Sequence, residues 1–282
     1  MSNKSMEVFI LNTIFSKPVK ELVQIRHSVR NYDNIPISEE IINKIENYID
    51  NIENPFNKKI RIKLIKKDES HKNLKLGTYG VIKGANYFLV AACKNDDLSL
   101  LALGYTLEKV ILYCTSLGLG TVWLGGTFNK GEFAKAISLR ENEVLPIVSP
   151  VGYEGGKKSF IATLIGDNSS KRKPYSELFF NKDFNTHLEP STFGEYFEPL
   201  EMLRLAPSAL NKQPWRVLKE GNNIHFYLNS TKGLTKIDIG IALCHFHLSS
   251  IENNINGEFV SLDSMESIQE NNFNYVISWI KK

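Results

Sequence analysis

Paired cysteines, a basic stripe and a long unbroken apolar run are all missing from this chain of 282 residues. Its three cysteines, Cys93, Cys114 and Cys244, show neither paired spacing nor a CxxC, which excludes a disulfide framework and a CxxC redox or zinc motif. With no secretory signal pattern either, a reduced, cytoplasmic setting is expected. Lys and Arg number 34 against 31 Asp and Glu, and the resulting charge of +3 is scattered, so a phosphate-backbone binder is excluded and no nucleic-acid partner is expected. The apolar stretch Val8 to Leu11 is too short to span a bilayer, and the run from Leu100 to Leu117 is interrupted by Glu108 and Lys109, so no membrane segment is expected. Cys244, His245 and His247 lie close in sequence, but two histidines two residues apart do not share a helical face, and no metal site is expected. Neither a Walker lysine nor a GxGxxG spacing is present.

What is present is ordinary in composition and informative in order. The length suits one large α/β domain or two smaller ones, and the pattern suggests an internal repeat. The stretch from Met6 to Gln24 suits a helix broken near Pro18. Ser38 is placed to cap a helix whose apolar face is Ile41, Ile42, Ile45, Tyr48, Ile49 and Ile52. Strands are expected at 60–65, 87–93, 121–124 and 146–153, and a helix near Leu200 to Leu205. Between 100 and 117 a helix apolar nearly all round reads as the buried spine of the first half. Leu103-Gly104, opening a long helix that closes at Gly118-Leu119-Gly120, is answered by Ile239-Gly240, opening one that reaches Asn254-Ile255-Asn256, with Asn replacing Gly where a left-handed turn is needed. Ile60-Arg61-Ile62 is likewise answered by Trp215-Arg216-Val217.

Three segments carry the chemistry. Arg26, Ser28 and Arg30 alternate, so an extended backbone offers two guanidinium forks and a hydroxyl to a phosphate, or else forms a solvated turn. His27 is a neighbour there rather than a catalyst. Pro207-Ser208-Ala209-x-Asn211-x-Gln213-Pro214-Trp215 packs short polar side chains and two prolines into a rigid loop suited to a planar heteroaromatic ring, or to a capped helix end with Trp215 in the core. Gly118-Leu119-Gly120-Thr121-x-Trp123-Leu124-Gly125-Gly126 removes side chains where the backbone must turn or approach a ligand.

In combination these segments resemble the nitroreductase family of FMN enzymes, whose Arg-x-Ser-x-Arg looks like Arg26 to Arg30, whose Ala-Pro-Ser-x-x-Asn-x-Gln-Pro-Trp looks like Ala206 to Trp215, and whose Gly-Leu-Gly-Thr-x-Trp-x-Gly-Gly looks like Gly118 to Gly126. The order departs from the family. The place in the first half where the Pro-Ser segment belongs holds Asn54 to Ile60, while the second half lacks the arginine and glycine segments.

The resemblance therefore implies an α+β, nitroreductase-like fold in which two half-repeats, 1–185 and 186–282, form an intrachain pseudo-dimer with mostly antiparallel central sheets and long buried helices. It implies one FMN site and one erased site. Arg26, His27, Ser28 and Arg30, with Lys171 and Arg172, would hold the phosphate and ribityl end. Leu124, Gly125 and Gly126 would line the ring, and Pro207, Ser208, Ala209, Asn211 and Gln213 would reach it from the other half. The activity implied is NAD(P)H-dependent reduction of a nitroaromatic, quinone or similar small-molecule acceptor by a monomer, with the flavin rather than a side chain carrying the chemistry. The alternative is a catalytically inactive protein that binds flavin or another planar ligand for storage or sensing.

Overall fold

The computed structural model describes residues 14–67, 76–156, 171–266 and 272–282. They fall into two compact units, Gln24–Asn168, and Met1–Val23 together with Ser169–Lys282. Helix α1 (Val19–Ile25) buries Val19, Leu22 and Val23. Its start is held by the C-terminal unit, where the Val19 N–H donates to the Glu252 carboxylate at 2.9 Å. The part of the expected helix before residue 14 lies outside the described residues.

In the Gln24–Asn168 unit, helix α2 (Glu39–Asp50) starts where the Ser38 hydroxyl accepts from the Ile41 N–H, with Glu39 and Glu40 in the first turn opposing the helix dipole. Its apolar stripe is only half covered, and Ile45 alone on it is fully buried. Strand β1 (Arg61–Lys66), at the sheet edge, buries only Ile62 and Ile65. In contrast β2 (Tyr87–Lys94) is buried at every position except Lys94, as its unbroken apolar run requires. Helix α3 (Asp97–Ser116) begins at Asp96, whose carboxylate accepts from the Ser99 N–H at 2.9 Å. The chain then forms β3 (Gly120–Thr121), α4 (Lys130–Ala136) and β4 (Glu143–Gly152). The strands pair antiparallel in the order β1-β2-β4-β3. Phe88, Val90, Val122, Leu124, Phe133, Leu145 and Val148 are among the residues of a core on this sheet.

The C-terminal unit opens with a helical turn, Tyr175–Leu178, and the strands β5 (Phe179–Asn181) and β6 (Asp183–His187). Helix α5 (Phe197–Leu205), β7 (Trp215–Glu220), β8 (Asn223–Leu228), α6 (Thr235–Glu252), β9 (Gly257–Val260), a one-turn helix (Asp263–Glu266) and β10 (Asn274–Lys281) follow. The strand order is β6-β5-β7-β8-β10-β9, with β5 alone pairing parallel, along β7.

Setting β5 and β6 aside, the two units share one plan. Helix, strand, strand, long helix, short strand, helix and strand recur in that order, and the sheets β1-β2-β4-β3 and β7-β8-β10-β9 have the same connectivity. The long helices also end alike. Past α3, Gly118 takes φ +78°, its N–H donates to Thr115 O at 3.0 Å, and the Leu119 N–H reaches Cys114 O at 2.9 Å. Past α6, Asn254 takes φ +60°, its N–H donates to Ile251 O at 3.0 Å, and the Ile255 N–H reaches Ser250 O at 2.8 Å. Both are Schellman closures, in which a left-handed residue lets two N–H groups satisfy carbonyls that the helix leaves over.

The α+β architecture with mostly antiparallel sheets and long buried helices matches the sequence expectation; the details shift. Helices α3 and α6 start earlier than the Leu103-Gly104 and Ile239-Gly240 landmarks, and β3 is only two residues long. The units part at 168/169 where 185/186 was expected, because β5 pairs with β7 and β6 with β5, which joins both strands to the C-terminal sheet. By length and composition α3 alone among the described helices is apolar enough to cross a membrane, and it is mostly buried within the protein.

Candidate functional site

The arginine segment is extended and bonded along its length. Ser28 bridges Thr121 in parallel, and the Val29 N–H donates to Thr121 O at 2.9 Å. Further on, the Tyr32 N–H donates to Lys83 O at 2.9 Å, the Asp33 N–H to Tyr153 O at 3.0 Å, and the Tyr32 hydroxyl to Val29 O at 2.8 Å. Glycine makes this approach possible, since a Cβ at Gly120 would lie 2.6 Å from Val29 Cγ2 and one at Gly84 would lie 2.1 Å from Tyr32 O. The segment thus lies directly beside the start of the Gly118–Gly126 loop.

Its two arginines have different surroundings. Arg26 has a side chain only 6% exposed, its Nε lies 3.8 Å from Glu108 Oε1, and that nitrogen has no hydrogen-bond partner. Burial holds its pKa below the usual arginine value, and the nearby Glu108 partly offsets this. Arg30 is half-buried, also depressed by burial, and no carboxylate pairs with it among the described residues. His27 is exposed; its Nδ1 lies 3.0 Å from Ile25 O and its Nε2 2.9 Å from a Glu154 carboxylate oxygen. Ser28 is partly buried.

Glu108, fully buried in the apolar α3, accepts from the Trp123 indole N–H at 2.9 Å through Oε2, the oxygen not facing Arg26. The next residue, Leu124, is buried and exchanges two backbone hydrogen bonds with Val148, at 3.0 and 3.1 Å. Gly125 and Gly126 follow as exposed backbone. A Cβ on Gly126 would meet nothing within 4 Å, and its φ is not in the left-handed region, so packing inside the protein does not call for glycine there.

In the C-terminal unit the Pro207–Gln213 loop is strained and knitted together. Leu210, Asn211 and Gln213 all take positive φ, at 53°, 54° and 47°, although none is glycine. Leu210 is 87% exposed. The Ser208 hydroxyl accepts from the Gln213 N–H at 2.8 Å, and the Gln213 amide, buried, donates to Asn211 Oδ1 at 3.1 Å and accepts from the Lys173 N–H at 2.8 Å. Asn211 donates to Lys171 O at 2.6 Å and accepts from Arg172, whose guanidinium also donates to Leu205 O at 2.9 Å. Lys171 and Arg172 therefore share one network with Asn211 and Gln213, and these two amides shape the loop. The Ala209 N–H donates to Asp238 on α6 at 2.9 Å. Burial pushes the Asp238 carboxyl up to about 7.

Sequence reading missed Glu108, Glu154 and Asp238. Glu108 registered only as an interruption of an apolar run, and a charge inside an otherwise apolar helix was the signal that it needs buried partners.

The fold agrees with that of a "putative nitroreductase" from Thermotoga maritima MSB8 at a TM-score of 0.63, with 94% of each chain covered and 20% identity. The class is thus the nitroreductase-like α+β fold. Residues 18–250 match the family described as "Putative TM nitroreductase", and the chain belongs to that family. Also similar are a nitroreductase family protein from Clostridium difficile 630 (21% identity, TM-score 0.44, 57% of this chain and 95% of that one) and a "putative nitroreductase in complex with FMN" from Desulfovibrio desulfuricans (20% identity, TM-score 0.40, 52% and 95%). No curated protein matches the chain.

Proposed function

We propose that the protein is an FMN-dependent oxidoreductase of the nitroreductase type, a cytoplasmic monomer that takes electrons from NAD(P)H and passes them to a nitroaromatic, quinone or similar small molecule. The observation that carries this reading is the bonding of the arginine segment to the glycine segment through Ser28 and Thr121, which sets anion donors beside open backbone. The donor set fits a phosphorylated, planar cofactor. Arg30 is a half-buried cation with no carboxylate pairing among the described residues, and Ser28 stands two residues before it. Gly126 leaves clear the space that a side chain would fill.

Bound FMN would supply the electron-accepting and electron-donating chemistry. In the Gln24–Asn168 unit, the Arg26–Arg30 segment takes the phosphate and ribityl end, and Leu124, Gly125 and Gly126 present main chain to the ring. In the C-terminal unit, Lys171, Arg172 and the Pro207–Gln213 loop are the further flavin-binding elements, with the Asn211 and Gln213 amides keeping that loop in its left-handed turns. The reading includes a fused pseudo-dimer with one working site, which the shared connectivity of the two sheets supports.

The test is to incubate the purified protein with FMN, remove free flavin by gel filtration, and measure flavin absorbance and NAD(P)H oxidation with a quinone or nitroaromatic acceptor. One FMN per chain with turnover is expected. A colourless, inactive protein would sink the proposal, and flavin without NAD(P)H oxidation would leave the storage or sensing alternative.

A further inference from the structure

The C-terminal sheet contains a chain of side-chain hydrogen bonds in which none of the residues assigned above to flavin takes part. His225 on β8 stands opposite Ser278 on β10, and its Nδ1 lies 2.7 Å from Ser278 Oγ. Ser278 Oγ is 2.8 Å from the Tyr275 hydroxyl oxygen, which lies 3.3 Å from Val260 O at the end of the edge strand β9 and accepts from the Leu262 N–H at 3.1 Å. At the other end of the chain, His225 Nε2 has no hydrogen-bond partner although the ring is only 2% exposed, and the Glu220 carboxylate at the end of β7 is 3.6 Å away. Burial holds the histidine pKa below the usual 6.5, and Glu220 partly offsets this, so the ring is neutral at neutral pH.

Glu220 is the charged group set toward this ring. Leu218 is the residue of β7 opposite His225, and on its side of that strand Arg216 holds its guanidinium 5.7 Å from the Phe273 ring centre and donates to Trp215 O at 2.6 Å. On the side of β9 that carries Val260, Glu258 pairs with Lys282 at 2.9 Å. Tyr227, next on this side of β8, packs edge-on against Tyr275, and the one-turn helix brings Met265 to the same cluster while its Asp263 is exposed.

Ser278 and Tyr275 have one hydroxyl hydrogen each, so the direction of the chain is set at His225. A neutral ring beside a carboxylate keeps its hydrogen on Nε2, facing Glu220. Nδ1 then accepts from Ser278, and Ser278 accepts from Tyr275. A proton taken from solvent puts a second hydrogen on Nδ1, and both hydroxyls must turn. Ser278 then accepts from His225 and donates to Tyr275, whose own hydrogen passes to Val260 O.

We infer that His225 is a pH-operated latch: its protonation reverses the hydrogen bonds through Ser278 and Tyr275, ties the end of β9 to β10 through Val260 O, and draws Glu220 onto the charged ring. Strand β9 is a fitting target. It lies at the edge of the sheet and pairs only with β10, over Gly257–Val260.

The experiment is a pH series of heteronuclear NMR spectra of the isotope-labelled full chain, with the His225 ring assigned by His225→Gln and the Tyr275 ring by Tyr275→Phe. At neutral pH the His225 hydrogen should sit on Nε2. As pH falls the ring should gain its second hydrogen with a midpoint below 6.5, and the Tyr275 ring carbon bearing the hydroxyl and the Val260 carbonyl carbon should shift with that same midpoint. Ser278→Ala keeps both rings and removes the link, so Tyr275 and Val260 should stop following His225. Glu220→Gln should lower the midpoint further, because the charged ring loses its anion.

A hydrogen on Nδ1 at neutral pH overturns the inference, as does a ring that stays neutral until the protein unfolds in acid. Signals of Tyr275 or Val260 that ignore His225 in the wild type, or still follow it in Ser278→Ala, also overturn it, and so does an unchanged or raised midpoint in Glu220→Gln. The tautomer and the shared midpoint are read from the wild-type chain, so they decide the matter even where a variant fails to fold.

Discussion

The Ala209 N–H donates to the Asp238 carboxylate across 2.9 Å, so the first long-helix turn of the C-terminal unit holds the loop in which Leu210, Asn211 and Gln213 are left-handed. Asp238 is buried, and burial outweighs the Ala209 bond and Lys212 in pushing its ionisation up to about 7 from an ordinary 3.8. The folded protein therefore holds a proton that the unfolded chain has released at any pH between these values. Stability from this group is fully present below pH 3.8 and is lost as pH rises through about 7. Asp238→Asn should flatten the decline of urea-unfolding stability with rising pH by on the order of 2–4 kcal/mol over the whole window. An unchanged slope between pH 5 and 7.5 would rule Asp238 out as its source.

Gly126 separates a structural glycine from one kept for a ligand. A methyl group there meets no atom of the protein and strains no backbone angle, so Gly126→Ala should leave stability within about 0.5 kcal/mol of the wild type. If a flavin ring lies over this backbone, FMN affinity should drop about ten-fold or more, near 1.4 kcal/mol. Equal FMN affinity in the two proteins would remove Gly126 from the ring site.

Gly120 is the opposite case. Its Cβ would run into the Val29 side chain, so Gly120→Ala should cost about 1–3 kcal/mol whether or not flavin is present. Hydrogen exchange should show which bond yields. The Val29 amide, bonded to Thr121 O, is expected to lose protection before the amides of β2. Protection lost uniformly across the unit would argue against a local displacement.

The closures at Gly118 and Asn254 allow a matched pair of substitutions. Gly118→Ala places an L side chain at φ +78° and should cost about 1–2 kcal/mol. Asn254→Gly should be neutral or gain a few tenths of a kcal/mol, because glycine is the better residue at a left-handed helix end. Chemical denaturation measures both, and a costly Asn254→Gly would mean that the asparagine side chain has a role beyond its backbone.

These two ends also show what could be read in the sequence. A glycine answered by an asparagine after a long apolar helix signals the same backbone requirement, and the structure places both in left-handed closures. Ser38 before Glu39 and Glu40 announced α2 in the same local way. Contacts set by tertiary packing were not legible. Nothing near His27 in sequence points to Glu154, 127 positions away, and Gln213 gives no hint that its amide is committed to Asn211 and Lys173. The left-handed angles of Leu210 and Gln213 run against their residue preferences and are held by the surrounding bonds, so local propensity had no means of announcing them. Strands β5 and β6 escaped notice because they complete a sheet whose other strands begin some thirty residues later.

The seven-residue helix α1 has an order-of-synthesis problem. The acceptor for its first N–H is Glu252, 233 positions later. A helix this short does not persist unaided in water. At ordinary translation rates of about 5–20 residues per second, α1 leaves the ribosome roughly 10–50 s before its acceptor is made. This early helix is therefore among the last elements to be secured. A nascent chain halted before Glu252 should leave it open to proteases that the finished protein resists.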